Sequence, residues 1–246
     1  MSAPPSRVVL VTGAARGIGA ATVRRLVGQG DRVVALDELP IAEAHDQVLS
    51  VVADVRDRPA LAAAVDAALD RWGRLDAAVA AAAVVAGGVP LWETPEADLD
   101  LLWDVDVKGV WNTAAVTVPA MLAGPDPAGA RFVAIASAAG HHGLHHLAAY
   151  TAAKHAVVGT VKGLAADLVG TGVTACTVSP GSTRTPMLEA TVALYDLDDV
   201  EGFADNQLLR RILEPDEVAA TIAFCCSREA AVLNGSVVHA DGGFAP

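Results

Sequence analysis

Short runs of mostly apolar residues alternate with segments of helical periodicity along the whole chain, and this alternation constrains the fold more than any other feature. Residues 7–12 form the first such run, and residues 17–29 then carry apolar side chains at helical spacing. A run without polar alternation is typical of a strand buried on both faces, and such strands occur in parallel sheets covered by helices. The sequence therefore predicts an α/β fold with a doubly wound parallel sheet.

The same two patterns predict strands and helices along the rest of the chain. The predicted strands are seven, at 7–12, 32–36, 48–53, 75–83, 131–136, 172–178 and 236–239. The predicted helices span 17–29, 57–72, 95–121, 147–169 and 215–226, with Thr94 as the cap of the third and Pro95 at its first position. Because no repeat, linker or low-complexity segment divides the chain, we predict one domain over 1–246. Residues 180–211 lack clear periodicity, and a loop of that length is typical of a functional lid, which we place at about 182–211.

The charge balance excludes two classes of partner. Lys and Arg number 17 against 29 Asp and Glu, and the net charge of −12 repels phosphate backbones and anionic lipid surfaces. We therefore expect no nucleic-acid partner and no membrane association. Residues 77–92, the longest uncharged apolar stretch, are too short and too rich in alanine and glycine for a membrane span. With three cysteines that form no CxxC pair and no secretion signal at the start of the chain, we predict a cytoplasmic protein.

A glycine-rich turn follows the first predicted strand and opens the first helix. Its sequence is Thr12-Gly13-Ala14-Ala15-Arg16-Gly17-Ile18-Gly19. Glycines here let backbone N–H groups approach a pyrophosphate at the helix N-terminus, whose dipole favours negative charge. Asp37 ends the second strand, where a carboxylate accepts from the ribose 2′-OH of NAD and repels the 2′-phosphate of NADP. The alternative for each feature is structural, namely a tight turn and an exposed carboxylate beside Glu38.

Three side chains suited to proton transfer are predicted to converge at one sheet edge. Ser137 follows the strand at 131–136, at the carboxyl end where doubly wound sheets bind ligands. Tyr150 and Lys154 are four residues apart on one helix, so they share a face. A tyrosine acts as a base near neutral pH only if its pKa falls by about 2 to 3 units from ~10, and a neighbouring ammonium favours that fall.

With these motifs together, the chain resembles the short-chain dehydrogenase/reductase family along essentially its whole length. The matching motifs are the glycine turn, Asp54-Val55, Ser137 with Tyr150 and Lys154, the segment Pro180-Gly181-Ser182-Thr183-Arg184-Thr185, and the ending Asp241-Gly242-Gly243. The resemblance implies a single Rossmann-like domain that binds NAD. The cofactor-binding positions expected in this chain are Gly13, Arg16, Gly17, Ile18, Gly19, Asp37, Asp54, Val55, Ala81, Ala82, Tyr150, Lys154, Pro180, Gly181, Thr183 and Thr185.

The resemblance also implies roles for the three converging side chains. Tyr150 is expected to be the general acid and base, Ser137 to position the substrate oxygen, and Lys154 to bind the ribose while depressing the tyrosine pKa. A hydride then passes between a substrate carbon and the nicotinamide. The family further implies a homotetramer that packs through the helices containing Asp106 and Tyr150.

Two positions depart from that family's pattern. Residues 80–83 are all alanine where Asn-Asn-Ala-Gly is usual, so side-chain hydrogen bonds that brace the fourth strand are missing. Asp106, three residues before Gly109, stands where the family has an asparagine that holds a water in the proton relay. We include Asp106 among the catalytic candidates and expect its carboxylate within one water of Lys154. The alternative is an Asp106 that is hydrogen-bonded to backbone in a helix distortion.

Two further segments invite a functional interpretation. Residues 78–94 are similar to a subgroup of the family associated with the redox cofactor mycofactocin, whose members do not exchange NAD freely, although the insertion common there after the second strand is absent. Four imidazoles lie between the serine and the tyrosine, at His141, His142, His145 and His146. Since no carboxylate or cysteine joins them within the segment, we interpret them as lining the substrate mouth and predict no metal centre.

These features predict an NAD-dependent alcohol dehydrogenase or ketone reductase acting on a moderately apolar secondary alcohol. The expected substrate surface is drawn from Trp92, His142, Leu144, Leu147 and the lid, which includes Met187 and Phe203. A 3-oxoacyl thioester reductase is one alternative, although such reductases usually prefer NADP and a basic docking patch, against which Asp37 and the net charge of −12 argue. A catalytically weak NAD-binding sensor is the second alternative. Asp106 and the alanine run favour it, whereas the presence of Ser137, Tyr150 and Lys154 argues against it.

Overall fold

The computed structural model describes residues 6–42, 45–195 and 198–245. Seven parallel strands form one sheet in the order β3-β2-β1-β4-β5-β6-β7. The strands are β1 Val8–Thr12, β2 Arg32–Asp37, β3 Val48–Val52, β4 Ala77–Ala80, β5 Arg131–Ile135, β6 Thr174–Pro180 and β7 Val237–Ala240. The predicted α/β fold with a doubly wound, seven-stranded parallel sheet is therefore confirmed.

Helices cover both faces of this sheet. They are α1 Gly17–Gly28, α2 Arg58–Trp72, α3 Glu96–Leu102, α4 Gly109–Ala123, α5 Ala148–Asp167, α6 Pro186–Leu194 and α7 Pro215–Cys225. One core lies between the sheet and α2, α4 and α5, and a second lies between the sheet and α1 and α7. Along β1, Val8 and Leu10 enter the first core while Val9 and Val11 enter the second. This two-sided burial is the physical reason why the strands lack polar alternation.

The helical run between β4 and β5 differs from the single helix predicted there. It begins at Glu96, one position later than predicted, because Thr94 Oγ1 donates to the Pro90 carbonyl at 3.3 Å instead of capping the helix. A π-helical segment, Trp103–Lys108, separates α3 from α4. Such a segment inserts an extra residue into the helical turn and is frequent at functional sites. Here it carries Asp106 into the protein interior.

Residues 182–211 are more regular than the sequence indicated. They contain α6 and a 3₁₀ helix, Val200–Asn206. Thr185 caps α6 by accepting from the Leu188 N–H at 3.3 Å, and Pro186 occupies the first turn. The expectation of a segment without periodicity was wrong for this stretch, although a Thr-Pro cap signal was present in the sequence. Leu213 anchors the segment, since its N–H donates to Ser182 and its carbonyl accepts from Arg184.

None of the helices in the described part of the chain is both long enough and apolar enough to span a bilayer.

Candidate active site

A large cavity lies at the carboxyl edge of the sheet, where the strand order reverses between β1 and β4. Its volume is about 650 Å³. Every predicted cofactor position lines it, together with Ser137. Open α/β sheets bind ligands at this point because the crossovers on either side leave a crevice there. The topology therefore brings together residues that the sequence motifs identified separately.

The glycine turn approaches the backbone after β4 closely. Gly13 has a φ of +68°, and a Cβ there would lie 2.7 Å from the Ala82 nitrogen. Gly17 begins α1 with a φ of +56°, and within the described structure no side chain caps this helix at Arg16. The first N–H groups of α1 therefore face the cavity uncapped, which suits a phosphate group.

Three carboxylates of the described residues line the cavity beyond this turn, and two of them, Asp37 and Asp54, were predicted to contact the cofactor. Asp37 is buried, and its two carboxylate oxygens accept from the N–H groups of Ala15 and Leu39, each at 2.9 Å. These bonds fix the carboxylate at the end of β2, which argues against a loose surface aspartate. Asp54 accepts from the Arg56 side chain at 2.8 Å, and this hydrogen bond lowers the pKa of Asp54.

The backbone after β4 is supported by two side chains in place of the usual asparagines. Thr12 Oγ1 accepts from the N–H groups of Ala81 at 3.1 Å and Ala82 at 3.2 Å. Asp106 Oδ1 accepts from the Val84 N–H at 2.8 Å. The alanine run thus lacks side-chain hydrogen bonds of its own, as predicted, but Thr12 and Asp106 brace it from neighbouring elements. Thr12 was not among the predicted site residues, although its position before the glycine turn was a usable signal.

Ser137, Tyr150 and Lys154 converge beside this backbone. Ser137 follows β5, and its hydroxyl accepts from the Ala139 N–H at 3.2 Å. Tyr150 is buried on α5, with its hydroxyl 3.9 Å from Met187 Sδ of α6. The Lys154 Nζ lies 5.5 Å from the centre of the Tyr150 ring and donates to the Ile135 carbonyl at 3.4 Å. A hydroxyl, a phenol and an ammonium therefore open onto one cavity.

Asp106 contacts Lys154 directly. The Asp106 Oδ2 lies 3.0 Å from the Lys154 Nζ, and both side chains are buried. Burial raises the pKa of Asp106, and the Lys154 ammonium opposes this rise. Burial alone lowers the pKa of Lys154, but the Asp106 carboxylate and Tyr150 together outweigh burial and raise that pKa above its usual value. The pair therefore holds Lys154 as an ammonium.

Comparison with known proteins agrees with this geometry. A family model described as enoyl-(acyl carrier protein) reductase matches residues 13–245. The oxidoreductase UcpA of Escherichia coli (strain K12) is 33% identical over 250 residues, covering 96% of this chain and 94% of UcpA. The (-)-trans-carveol dehydrogenase of Rhodococcus erythropolis is 30% identical over 275 residues, covering 99% of each protein. Among solved structures, levodione reductase aligns with a TM-score of 0.88 at 30% identity, covering 96% of each chain.

The chain belongs to the short-chain dehydrogenase/reductase family. Members of this family are oxidoreductases whose Rossmann-like fold binds a nicotinamide cofactor. In this short-chain dehydrogenase/reductase, the two departures from the family pattern lie next to each other. The Asp106 carboxylate accepts from the N–H of Val84, the residue directly after the alanine run.

The pKa of the tyrosine depends on the groups around it. Burial raises the pKa of Tyr150 above its ordinary value. The Lys154 ammonium lowers that pKa, and the Asp106 carboxylate raises it again. Tyr150 is therefore a neutral phenol near neutral pH, and its deprotonation depends on the positive charge that Lys154 supplies.

The substrate end of the cavity in this short-chain dehydrogenase/reductase is mostly apolar. Four of the residues expected there line it, namely Leu144, Leu147, Met187 and Phe203. Two others are not part of its lining: Trp92 is 81% exposed in a short 3₁₀ turn, and the His142 ring centre lies 5.8 Å from that of Phe244, which does line the cavity. His145 had been predicted at the substrate mouth, and Leu188, Thr191, Tyr195 and Asn206 lie within the predicted lid. Sequence reasoning did not identify Val84, Val85, Leu101 and Phe244 as lining residues.

The four imidazoles after the serine do not share one environment. His145 and His146 stack on each other with ring centres 3.7 Å apart. Of this pair, His145 lines the cavity. His141 turns the other way and makes an edge contact with His239 of β7, with ring centres 4.3 Å apart. Burial lowers the pKa of His141, so the imidazole is held in its neutral form.

Proposed function

We propose that this protein is an NAD(H)-dependent oxidoreductase that interconverts a moderately apolar secondary alcohol and its ketone. The observation that carries the proposal is the single cavity onto which the uncapped start of α1, Asp37, Tyr150 and Lys154 all open. A nicotinamide bound there supplies the acceptor or donor of the hydride. The residues of the chain must then bind the cofactor and move one proton.

The residues present fit a dinucleotide. The close approach of Gly13 to Ala82 leaves no room for a side chain, and the N–H groups at the start of α1 suit the pyrophosphate. Asp37, fixed by two backbone N–H groups, is suited to accept from a ribose 2′-OH. The same carboxylate disfavours a 2′-phosphate, which is why we propose NAD over NADP.

Proton transfer falls to Tyr150. In ketone reduction, the neutral phenol donates its proton to the developing alkoxide, with the Ser137 hydroxyl holding the same oxygen. In alcohol oxidation, the phenolate takes the proton, and the Lys154 ammonium stabilises that phenolate. Asp106 keeps Lys154 charged and in place through their contact at 3.0 Å. We assign Asp106 a positioning role for this reason.

The apolar lining supports the proposed substrate class. Leu144, Leu147, Met187 and Phe203 surround the end of the cavity next to Tyr150. Two of these four come from residues 182–211, which we propose act as a lid whose anchor is Leu213. An apolar enclosure favours a substrate carbon skeleton without charge.

The test is turnover of a panel of secondary alcohols and ketones with NAD(H), comparing Tyr150→Phe with Tyr195→Phe. We expect Tyr150→Phe to lose at least about 100-fold in turnover, because it removes the transferable proton. NADH affinity should change little, since the contact area is retained. Tyr195, the other of the two tyrosines, lines the same cavity and donates to the His145 carbonyl, so Tyr195→Phe controls for the loss of a phenolic hydroxyl there and should lose much less turnover than Tyr150→Phe. A Tyr150→Phe enzyme with more than about a tenth of the parent turnover contradicts the proposal.

Turnover, NADH binding and mass spectrometry of the purified protein together separate the alternatives. Turnover confined to a 3-oxoacyl thioester with NADPH would assign the protein to the thioester reductases. NADH binding without turnover of any substrate would assign it to a sensor. NAD that co-purifies and is released only on denaturation, measured by mass spectrometry, would favour an external redox carrier such as mycofactocin.

We further propose a cytoplasmic homotetramer. The helices expected at the subunit interface expose large apolar side chains, including Trp103 of the π segment and Trp111 of α4. Exposed apolar area of this kind is typical of association surfaces.

A further inference from the structure

Two imidazoles and a carboxylate meet where the loop after Ser137 contacts the end of β7. His141 follows the 3₁₀ turn Ala138–Gly140, His239 lies on β7, and Asp241 comes directly after that strand. The three possible ligand atoms lie within 4.8 Å of one another. Asp241 Oδ2 is 3.4 Å from His239 Nδ1 and 3.9 Å from His141 Nε2.

The His141 imidazole lacks hydrogen-bond partners. Both of its ring nitrogens are buried, and neither has a partner among the residues that the structure describes. Buried polar atoms are nearly always satisfied by protein, water or an ion, so an orphaned imidazole requires an explanation. Its Nε2 faces the Asp241 carboxylate, and the edge contact with His239 keeps the ring in that direction.

The Asp241 carboxylate is oriented by its own backbone. Asp241 is buried, and its Oδ1 accepts from the Gly243 N–H at 2.9 Å. This bond leaves Oδ2 directed at the two imidazoles. Hydrogen bonds that hold the second oxygen of a ligating carboxylate are typical of metal sites.

We propose that His141, His239 and Asp241 bind one divalent transition-metal ion of the zinc type. Three ligands at the usual metal–ligand distances of about 2.0 to 2.2 Å stand about 3.3 Å apart in a tetrahedral site. The His239–Asp241 separation of 3.4 Å already matches this value, and the His141–Asp241 separation of 3.9 Å exceeds it by about 0.6 Å. The two imidazole nitrogens are at most 4.8 Å apart and must approach each other by at most about 1.5 Å. The His239 side chain is 51% exposed and is free to make that movement. Nitrogen ligands favour zinc-type ions over magnesium or calcium, which prefer oxygen.

The position of the site gives the ion a structural role. Asp241 lies against Gly181 of the predicted cofactor segment, since a Cβ on Gly181 would meet the Asp241 carbonyl and Cα. Phe244, three residues further on, lines the cavity, and its ring centre is 5.8 Å from that of His142. The ion would tie the loop after Ser137 to the C-terminal segment, and both of these build the wall of the active site. This proposal does not depend on the cofactor or substrate assigned above.

The test uses the full chain without a polyhistidine tag, stripped with chelator and titrated with zinc chloride by calorimetry. We expect one ion per chain. His239→Gln and Asp241→Asn should each weaken binding by at least about 10-fold, because each removes a ligand. Asp241→Asn keeps the shape and the acceptor for the Gly243 N–H, so it separates ligation from folding. Saturating zinc should raise the melting temperature of the parent by about 5 °C and that of these variants by much less.

The control is His45→Gln, which removes an exposed histidine that accepts from the Gln47 N–H on the surface. It should bind zinc like the parent. Zinc binding that survives in His239→Gln but is lost in His146→Gln would place the ion on the stacked His145–His146 pair and overturn the proposal. An absence of saturable binding in the parent, or equal binding in all variants, overturns it as well.

Discussion

The buried ion pair between Asp106 and Lys154 has a large effect on the residues around it. Breaking a buried pair by removing one charge commonly costs about 3 to 5 kcal/mol, because the remaining charge is left uncompensated in a poor solvent. Asp106 also accepts from the Val84 N–H, so it couples the α4 region to the backbone that faces the cofactor. An asparagine at position 106 keeps the hydrogen bond from the Val84 N–H but lacks the negative charge.

We predict that Asp106→Asn shifts the alkaline rise of the alcohol oxidation rate to lower pH by about half a unit to one unit. The Asp106 carboxylate raises the pKa of Tyr150, so its loss lets the phenolate form at lower pH. The measurement is the pH dependence of turnover. Asp104→Asn is the matched control, because Asp104 is two residues away and pairs with the exposed Lys108. A profile for Asp106→Asn that superimposes on that of the parent would leave Asp106 with a purely structural role.

The proposed preference for NAD rests on the charge of Asp37. Two like charges about 5 Å apart repel by roughly 3 kcal/mol at an effective dielectric near 20, or about a hundredfold in affinity, although Arg16 in the turn offsets part of this. We predict that Asp37→Asn narrows the preference for NADH over NADPH by at least about tenfold, as measured by calorimetry. Glu38→Gln, the neighbouring cavity residue, is the control and should keep the preference. Parent protein that binds NADPH as tightly as NADH contradicts the prediction.

At the scale of single elements, α7 shows how a helix start is stabilised. The Glu217 side chain accepts from the Glu214 N–H at 2.9 Å and pairs with Arg211 at 2.6 Å. The hydrogen bond from Arg211 lowers the pKa of Glu217 to about 2. A carboxyl with a lowered pKa adds stability above its unfolded pKa of 4.5, and the added stability is lost as the pH falls through about 2.

We predict that Glu217→Gln lowers the free energy of unfolding by about 0.5 to 1 kcal/mol at pH 7 and has almost no effect near pH 2. Solvent screening keeps the value this small, since the pair is exposed. Glutamine retains the capping hydrogen bond, so the difference reports the charge alone. Urea unfolding at the two pH values is the measurement, with Asp205→Asn, from a more exposed ion pair, as a control without effect. If the loss of unfolding free energy is the same at both pH values, the effect comes from the capping hydrogen bond rather than from the charge.

The helical run of α3, the π segment and α4 shows a second element-scale effect. The π segment turns Asp106 inward while Trp103 and Trp111 on the same run stay exposed. One continuous helix with regular spacing would distribute these residues differently around its axis. The irregular turn therefore places Asp106 beside the active site and leaves the two tryptophans on the outer surface.

At the scale of the whole molecule, the proposed assembly is tested through Trp111. We expect the parent to have about four times the 25.0 kDa mass of one chain in solution. Trp111→Glu should reduce that mass about twofold, because Trp111 is 61% exposed on α4 and a carboxylate there opposes burial. Light scattering coupled to size exclusion measures the mass. The control is Val52→Glu, an exposed apolar position on the outer strand β3. A monomeric parent contradicts the tetramer.

The sequence by itself determined the features that depend on local spacing. Apolar runs and helical periodicity identified all seven strands to within a few residues, because burial on both faces removes polar alternation wherever a strand is central. The Gly13–Gly19 turn and the Tyr150–Lys154 pair could also be predicted from the sequence, because each involves residues that are only a few positions apart in the chain. The π segment was anticipated only through the alternative of a helix distortion at Asp106, because nothing in the local pattern separates a π turn from α-helix.

Only the tertiary structure decided which distant residues meet. The direct contact of Asp106 with Lys154, the bracing of Ala81 by Thr12, and the exclusion of Trp92 from the cavity depend on how α4, α5 and the strands pack. The approach of His141 to His239 and Asp241 is of the same kind. Such contacts join segments far apart in the chain, and their formation is governed by strand order and helix packing rather than by any pattern within one segment.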